Sequence, residues 1–373
     1  VLISAGEASG DLYASRVAEE IRKRHPAAEF FGCAGPRMQA AGVRAVVDAH
    51  SLSVVGIVEV LAHIPRIYGE FRKLVRAAEN ERPDIAILTD SPDFHLRLAR
   101  KLRARNIPVV YLIAPQAWAW RQGRVKTMRR TLQRLLCIFP FEEAFFWQHG
   151  VRTTFIGHPL ARIVKPSLTR PEFCQKYGFQ ADNSLVVLLP GSRHGEAARH
   201  IPFLLDAVRR IREQRPDVHF LMALPGGFGL DGTKFWEPVH AAHIQVIEGG
   251  TWDCLAHAEV ALAASGTVTI EAALLGAPMV TFYRVNALSW ILGRWMVKAP
   301  FLSMVNLVAG RRIAAELIQY DMTGERIAAE ALRLLGDASA RVKMKADLDE
   351  VRSKLRSARD PMETAADCID QVL

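Results

Sequence analysis

The chain has 373 residues, 50% of them apolar, and carries a net charge of +9 with a pI near 9.5. A single core stops growing at about 250–300 residues, so this length implies about two domains. The cysteines, at positions 33, 137, 174, 254 and 368, are odd in number and form no C-x-x-C pair, which excludes a disulfide framework or zinc ribbon and fits a reducing cytosol.

The basic charge suits nucleic acid, anionic lipid or phosphorylated substrates. Lys and Arg are dense from Arg97 to Arg134, but no helix-turn-helix or RNA-binding signature accompanies them, so nucleic acid is not an expected partner. No secretory signal and no run of about 18 uncharged apolar residues occurs, so no transmembrane helix is expected. Val1-Leu2-Ile3-Ser4 already reads as a strand, and a short leader or initiator methionine is expected before it.

In chain order, short Val- and Ile-rich runs read as buried parallel strands at Val1–Ser4, Asp84–Leu88, Val109–Ile113, Leu136–Phe139 and Thr153–Ile156. Amphipathic helical stretches such as Asp11–Arg24 and Asp93–Arg105 separate most of them. The rhythm restarts at Leu185–Leu189, His219–Leu224, Ile244–Ile247, Ala258–Ala263 and Met279–Phe282. The pattern predicts an α/β protein of two doubly wound, Rossmann-like domains. The three prolines between Gly157 and Pro171 mark the linker. The expected division is 1–165, 166–350 and a helical tail at 351–373 that caps the second domain or crosses back to the first.

The turn Leu189-Pro190-Gly191-Ser192-Arg193 follows a strand and precedes a helix. Gly191 lets backbone approach a ligand, the helix start offers free N–H groups, and Arg193 adds a fork suited to a diphosphate. The alternative is an ordinary strand-to-helix turn with a surface arginine. A second cradle is Ser265-Gly266-Thr267, with Glu271 one turn on, placed to accept from a ribose diol; Ser265 or Thr267 as a simple helix cap is the competing reading. The turn Gly6-Glu7-Ala8-Ser9-Gly10-Asp11 differs, because Glu7 and Asp11 would repel a diphosphate. It suits a hydroxyl-rich acceptor, or is a helix start capped by Ser9 or Asp11.

Thr89-Asp90-Ser91-Pro92-Asp93-Phe94-His95 ends a strand, where open α/β sheets bind ligands. Ser91-Pro92-Asp93 is also a well-formed helix start, with a cap, a proline and an acid on the dipole. In the functional reading Asp93, or Asp90 behind it, is a general base. Trp118 and Trp120 pack on a sugar or fill a helix–sheet seam, and the composition favours the seam. From Ser51 to Pro65 the only formal charge is Glu59, so this stretch is buried or meets lipid through Val54, Val55, Val58 and Leu61, with basic residues following from Arg66. Ala287–Val308 is a second apolar candidate of this kind. His240-x-x-His243 and Asp347-Leu348-Asp349 lack partners or position for a metal, so neither a metal nor another cofactor is expected.

The order and spacing of these motifs resemble the lipid-A-disaccharide synthases, inverting glycosyltransferases of the GT-B architecture. The resemblance covers nearly the whole chain. It is carried by Gly6–Asp11, Ala34-Gly35-Pro36-Arg37-Met38, Gly56-Ile57-Val58-Glu59-Val60, Pro92-Asp93-Phe94, Trp118-Ala119-Trp120-Arg121, Phe155-Ile156-Gly157-His158-Pro159, Leu189–Arg193, Ser265–Thr267 and Asn306-Leu307-Val308-Ala309-Gly310-Arg311. It implies two Rossmann-like domains facing a cleft, the first for acceptor and membrane and the second for the UDP-sugar. It implies transfer of 2,3-diacylglucosamine from UDP to the 6-hydroxyl of 2,3-diacylglucosamine 1-phosphate, at the cytoplasmic face of a Gram-negative inner membrane. Carried over by motif, Asp93 is the base and Arg193 a phosphate contact. Glu7, Ser9, Gly10, Asp11 and Asn306 fall to the acceptor, while Gly191, Ser192, Ser265, Gly266, Thr267 and Glu271 fall to UDP. The chain departs from the family pattern at His95, where asparagine is usual, and at Val305, where proline is. Competing readings are an epimerase of UDP-N-acetylglucosamine, a lipid II-forming transferase, or a non-catalytic nucleotide- or lipid-binding relative. Oligomeric state is not legible.

Overall fold

The computed structural model describes residues 1–51, 57–286, 290 and 299–373, with the backbone alone for residues 50 and 57–64. Two compact units emerge. The first comprises Val1–Pro159 together with Leu355–Leu373, and the second Leu160–Lys354.

The first unit holds a parallel sheet of β1 (Leu2–Ser4), β2 (Phe31–Ala34), β3 (Arg44–Asp48), β4 (Ala86–Thr89), β5 (Val109–Leu112), β6 (Arg134–Cys137) and β7 (Thr153–Phe155), in the order β3-β2-β1-β4-β5-β6-β7. The second holds β8 (Ser184–Leu189), β9 (Val218–Leu224), β10 (Ile244–Glu248), β11 (Val260–Ala264), β12 (Met279–Tyr283) and β13 (Ala315–Ile318), in the order β10-β9-β8-β11-β12-β13. Both are the doubly wound sheets that the alternation of apolar runs and helices predicts. Three strands went unpredicted. β3 and β13 are sheet edges with half-exposed, charge-bearing sequences, and β2 is the short Phe-Gly-Cys-Ala run, so none presents a continuous Val/Ile stretch.

Helices cover the sheets through single apolar faces. Ala8–Arg24 buries Ala14, Val17, Ala18 and Ile21, and His194–Gln214 buries Ala197, Ile201, Leu204, Val208 and Ile211, both at helical spacing. Each fully buried Leu, Val or Ile contributes about 1.5–3 kcal/mol. The final helix, Pro361–Asp370, belongs to the first unit. There Arg24 reaches Asp367 at 2.6 Å and Asp370 at 2.8 Å.

Strand order reverses between β1 and β4 in one unit, and between β8 and β11 in the other. Loops leaving such a pair diverge to opposite faces of the sheet and leave a crevice at the strands' C-terminal ends. The four turns singled out in the sequence, at Gly6, Asp90, Gly191 and Ser265, follow those four strands.

Candidate active site

The first-unit crevice is organised around Asp90. Its carboxylate accepts the Gly6 amide at 2.8 and 3.1 Å and the Glu7 amide at 3.1 Å, pinning the β1 turn to the end of β4. Gly10 is required here: a Cβ would lie 1.8 Å from Asp90 Oδ2. Burial raises the Asp90 carboxyl to about 7, against the lowering pull of the Gly6 and Glu7 amides.

Behind it, His95 is fully buried and burial drives its pKa down to about 4, so it is neutral. The Asp90 carbonyl only accepts, so His95 Nδ1–H donates to it at 3.0 Å, and Nε2 accepts from the Ser4 hydroxyl at 2.8 Å. Tyr111 also donates to the Asp90 carbonyl. These bonds hold Asp90 and Ser91 at φ of +53° and +35°, a left-handed pair without glycine. Ile113 (+64°) and Arg121 (+56°) add two more such residues after β5. Clustered backbone strain of this kind accompanies functional loops, at about 1–3 kcal/mol each.

Asp93 sits one residue into the helix Pro92–Arg103, with proline at the first position. Ser91 precedes it but makes no side-chain cap. The Asp93 side chain is 67% exposed, and it pairs with Arg121 at 2.8 Å and Arg124 at 2.7 Å. Partial burial works to raise its carboxyl, but the Arg124 and Arg121 guanidiniums prevail and hold it below the ordinary carboxylate range. Trp118 fills a seam, donating to the buried Glu142 at 2.9 Å and meeting Phe141 edge-on. Trp120 faces solvent, with the Arg121 and Arg124 guanidiniums each 5.0 Å from its ring centre.

In the second unit, Gly191 adopts φ +121°, and Arg193 and Ser192 are exposed at the start of the helix His194–Gln214. Buried His200 bridges this turn to the end of β12: Nδ1–H donates to the Pro190 carbonyl at 2.7 Å, and Nε2 accepts the Arg284 amide at 3.1 Å. Burial lowers its pKa despite the opposing pull of the Pro190 carbonyl. The Ser192 amide donates to Glu196 at 3.2 Å, and the Glu196 carboxylate lies where a Cβ on Gly191 would point. After β11, Gly266 and Thr267 are exposed, while the Ser265 hydroxyl donates to the Leu302 carbonyl at 3.1 Å. Thr267 precedes the helix Val268–Leu274 without a side-chain cap. Glu271 accepts from Trp252 at 3.0 Å through one carboxylate oxygen, and burial raises its pKa against that bond.

Two expected acceptor residues have other employment. Asp11 is buried and caps the helix Pro36–Ala40, accepting the Arg37 amide at 2.9 Å and the Met38 amide at 3.1 Å. Neither it nor Ser9 caps the first helix, which starts at Ala8 after Glu7 with no side-chain cap. Asn306 is fully buried; its Oδ1 accepts the Ile313 and Ala314 amides, and its Nδ2 donates to the Ala314 carbonyl and to Glu316. That set spends its hydrogen-bonding capacity inside the fold. Glu7 and Ser9 remain exposed beside Gly10.

Val54 and Val55 lie outside the described residues, as does most of 287–298; Val58 and Leu61 fall in the helix Ile57–Glu81, where only the backbone is described. Among the described residues no helix is long and apolar enough to cross a membrane. Sequence reasoning missed Ser4, Tyr111, Arg124, Glu142, Glu196 and His200. Of these only Glu196 left a signal, an acid three residues past the helix-preceding Arg193.

A family model described as Lipid-A-disaccharide synthetase matches residues 1–369. The lipid-A-disaccharide synthase of Solibacter usitatus is 60% identical over 374 residues, spanning 100% of this chain and 97% of that protein. Among solved structures, the glycotransferase of kitacinnamycin superposes with a TM-score of 0.65 at 19% identity, covering 100% of this chain and 98% of the other. The UDP-GlcNAc 2-epimerase from Neisseria meningitidis, bound to UDP-GlcNAc, gives 0.62 at 14% identity, covering 99% and 98%. At these identities the two structures share the fold alone.

Proposed function

We infer the reaction from a plain premise: this chain belongs to the lipid-A-disaccharide synthase family and is a glycosyltransferase. We propose that it moves 2,3-diacylglucosamine from UDP to the 6-hydroxyl of 2,3-diacylglucosamine 1-phosphate with inversion. The products are the β-1,6-linked disaccharide 1-phosphate and UDP. The observation that carries the reading is the unlike chemistry of the two crevices: an exposed carboxylate, Asp93, in the first unit, and a glycine turn followed by exposed Arg193 in the second.

In this mechanism the acceptor oxygen attacks the anomeric carbon as its proton passes to Asp93. The bond from that carbon to the UDP oxygen breaks, and its electron pair leaves with the diphosphate. Arg193, the Ser192 amide and hydroxyl, and the Ser265–Thr267 turn meet the developing charge. Donors fixed in place beforehand stabilise such charge without reorganising, which lowers the barrier strongly. The second oxygen of Glu271 takes the ribose diol. Glu7 and Ser9 meet acceptor hydroxyls. Asp90 shapes the loop: its carboxylate already serves two backbone amides.

Asp93→Asn is expected to lower turnover about 10²–10⁴-fold while UDP binds as before, with product identified by mass from the paired acylated substrates. Near-normal turnover would sink the assignment of the base. We further propose peripheral attachment to the cytoplasmic face of the inner membrane through the apolar stretch around Val54, Val55, Val58 and Leu61. Serine at positions 54, 58 and 61 should release the protein from anionic vesicles while it stays folded, and unfolding would instead mark that stretch as core.

A further inference from the structure

Arg121 and Arg124 converge on a single carboxylate. Arg121 Nη1 meets Asp93 Oδ2 at 2.8 Å and Arg124 Nη2 meets Asp93 Oδ1 at 2.7 Å, so two fixed positive charges face one negative charge. Both guanidinium planes also rest on one indole, each 5.0 Å from the centre of Trp120, which orients their forks before any ligand arrives. Each guanidinium has five N–H donors, and the Arg121 side chain is 46% exposed. Arg121 is held there by a left-handed backbone at φ +56°. Glu7 and Asp90, both acidic, act with Asp93 and Arg124 on the Tyr111 hydroxyl.

Two arginines clamped on a general base work against it: they keep it ionised but lower its basicity, and so weaken its pull on the proton it must take. They make sense when a second anion draws on the same forks. We propose that Arg121 and Arg124, stacked on Trp120, form the subsite for a phosphate monoester carried by the acceptor sugar, within one sugar ring of the hydroxyl that Asp93 deprotonates. Planar forks of this kind match phosphate bidentately. As the phosphate engages them, their hold on Asp93 relaxes, so correct acceptor binding also readies the base. The inference rests on the reaction assigned above and adds what selects the acceptor.

The test compares two acceptors, 2,3-diacylglucosamine 1-phosphate and its dephosphorylated counterpart, with UDP-2,3-diacylglucosamine as donor, in the wild type, Arg121→Gln and Arg124→Gln. The wild type should prefer the phosphorylated acceptor by about 100-fold in kcat/KM, the scale of one or two charge-assisted hydrogen bonds. Each variant should cut that preference about tenfold or more, chiefly by raising KM for the phosphorylated acceptor. An unchanged preference, with both acceptors slowed alike, would leave the arginines as mere supports of Asp93 and overturn the subsite. If neither acceptor is turned over by folded, UDP-binding protein, the assigned reaction fails instead. Calorimetric titration of the two acceptors then decides the subsite alone: tighter binding of the phosphorylated one, lost in the variants, upholds it, and equal binding overturns it.

Discussion

The two units solve the same problem with the same part and reach opposite results. In each, a buried neutral histidine reaches from the covering helix to the carbonyl of a strand-end residue: His95 to Asp90 in the first, His200 to Pro190 in the second. In each, a carboxylate accepts amides of the glycine turn, Asp90 from Gly6 and Glu7, Glu196 from Ser192. The difference lies in what that carboxylate can do. Asp90 has a side chain only 10% exposed, sits on a strained backbone and is wedged against Gly10, so its turn is permanently filled. Glu196 is half-buried on its helix, and the turn it serves leaves Ser192 and Arg193 exposed. In the proposed reaction the filled turn would shape the acceptor side, and the open one would take the donor.

The largest expected break in this contrast is at the glycines. Gly10→Ala drives a methyl into a carboxylate that has nowhere to go, and should cost about 2–3 kcal/mol of stability with loss of most activity. Gly266→Ala meets nothing within 4 Å and should leave stability nearly unchanged. Urea denaturation of the pair checks both. Comparable losses would remove the distinction between a filled and an open turn.

Next in size is His95. Its folded pKa of about 4 lies below the ordinary 6.5, so its contribution is present above pH 6.5 and is lost as pH falls toward 4. From pH 7 to pH 5 the wild type should lose about 2 kcal/mol more than His95→Leu does. The leucine variant is itself weaker at pH 7 by about 1–3 kcal/mol, because the Ser4 hydroxyl is left unpaired. Asp90 runs the other way: with its carboxyl raised from 3.8 to about 7, its contribution is present at low pH and is lost as pH rises through 7. Asp90→Asn should remove that decline, and parallel pH–stability curves for variant and wild type would contradict the burial of its charge.

The smallest effect belongs to Glu196. Replacing it with glutamine removes a charge that competes with phosphate for the Ser192 amide, and should tighten UDP by about two- to fivefold, within the ordinary value of one such interaction. Weaker binding would mean that Glu196 supports the nucleotide rather than yielding to it.

The contrast was partly legible in the sequence. Alternating apolar runs gave both sheets, and the glycine turns stood out because tight bends and close approaches leave few residue choices. Edge strands were missed because their half-exposed residues follow no buried pattern. The internal bonds of Asp11 and Asn306 were not legible, because a polar side chain that caps another helix or clamps a loop has the same letter as one that meets a ligand, and only tertiary contact separates them. His95 and His200 were invisible as a pair, since the carbonyls they hold lie five and ten residues upstream, at turns the sequence cannot orient. The convergence of Arg121 and Arg124 on Asp93 left no sequence signal, because the partners lie far apart in the chain.

The division of labour between the units is tested most directly by titrating UDP into Arg193→Ala and Asp93→Asn by calorimetry. Arg193→Ala should weaken UDP by about tenfold or more, and Asp93→Asn should leave its Kd at the wild-type value while turnover collapses. Equal weakening by the two variants, or UDP binding untouched by the loss of Arg193, would contradict a donor site built on the second unit.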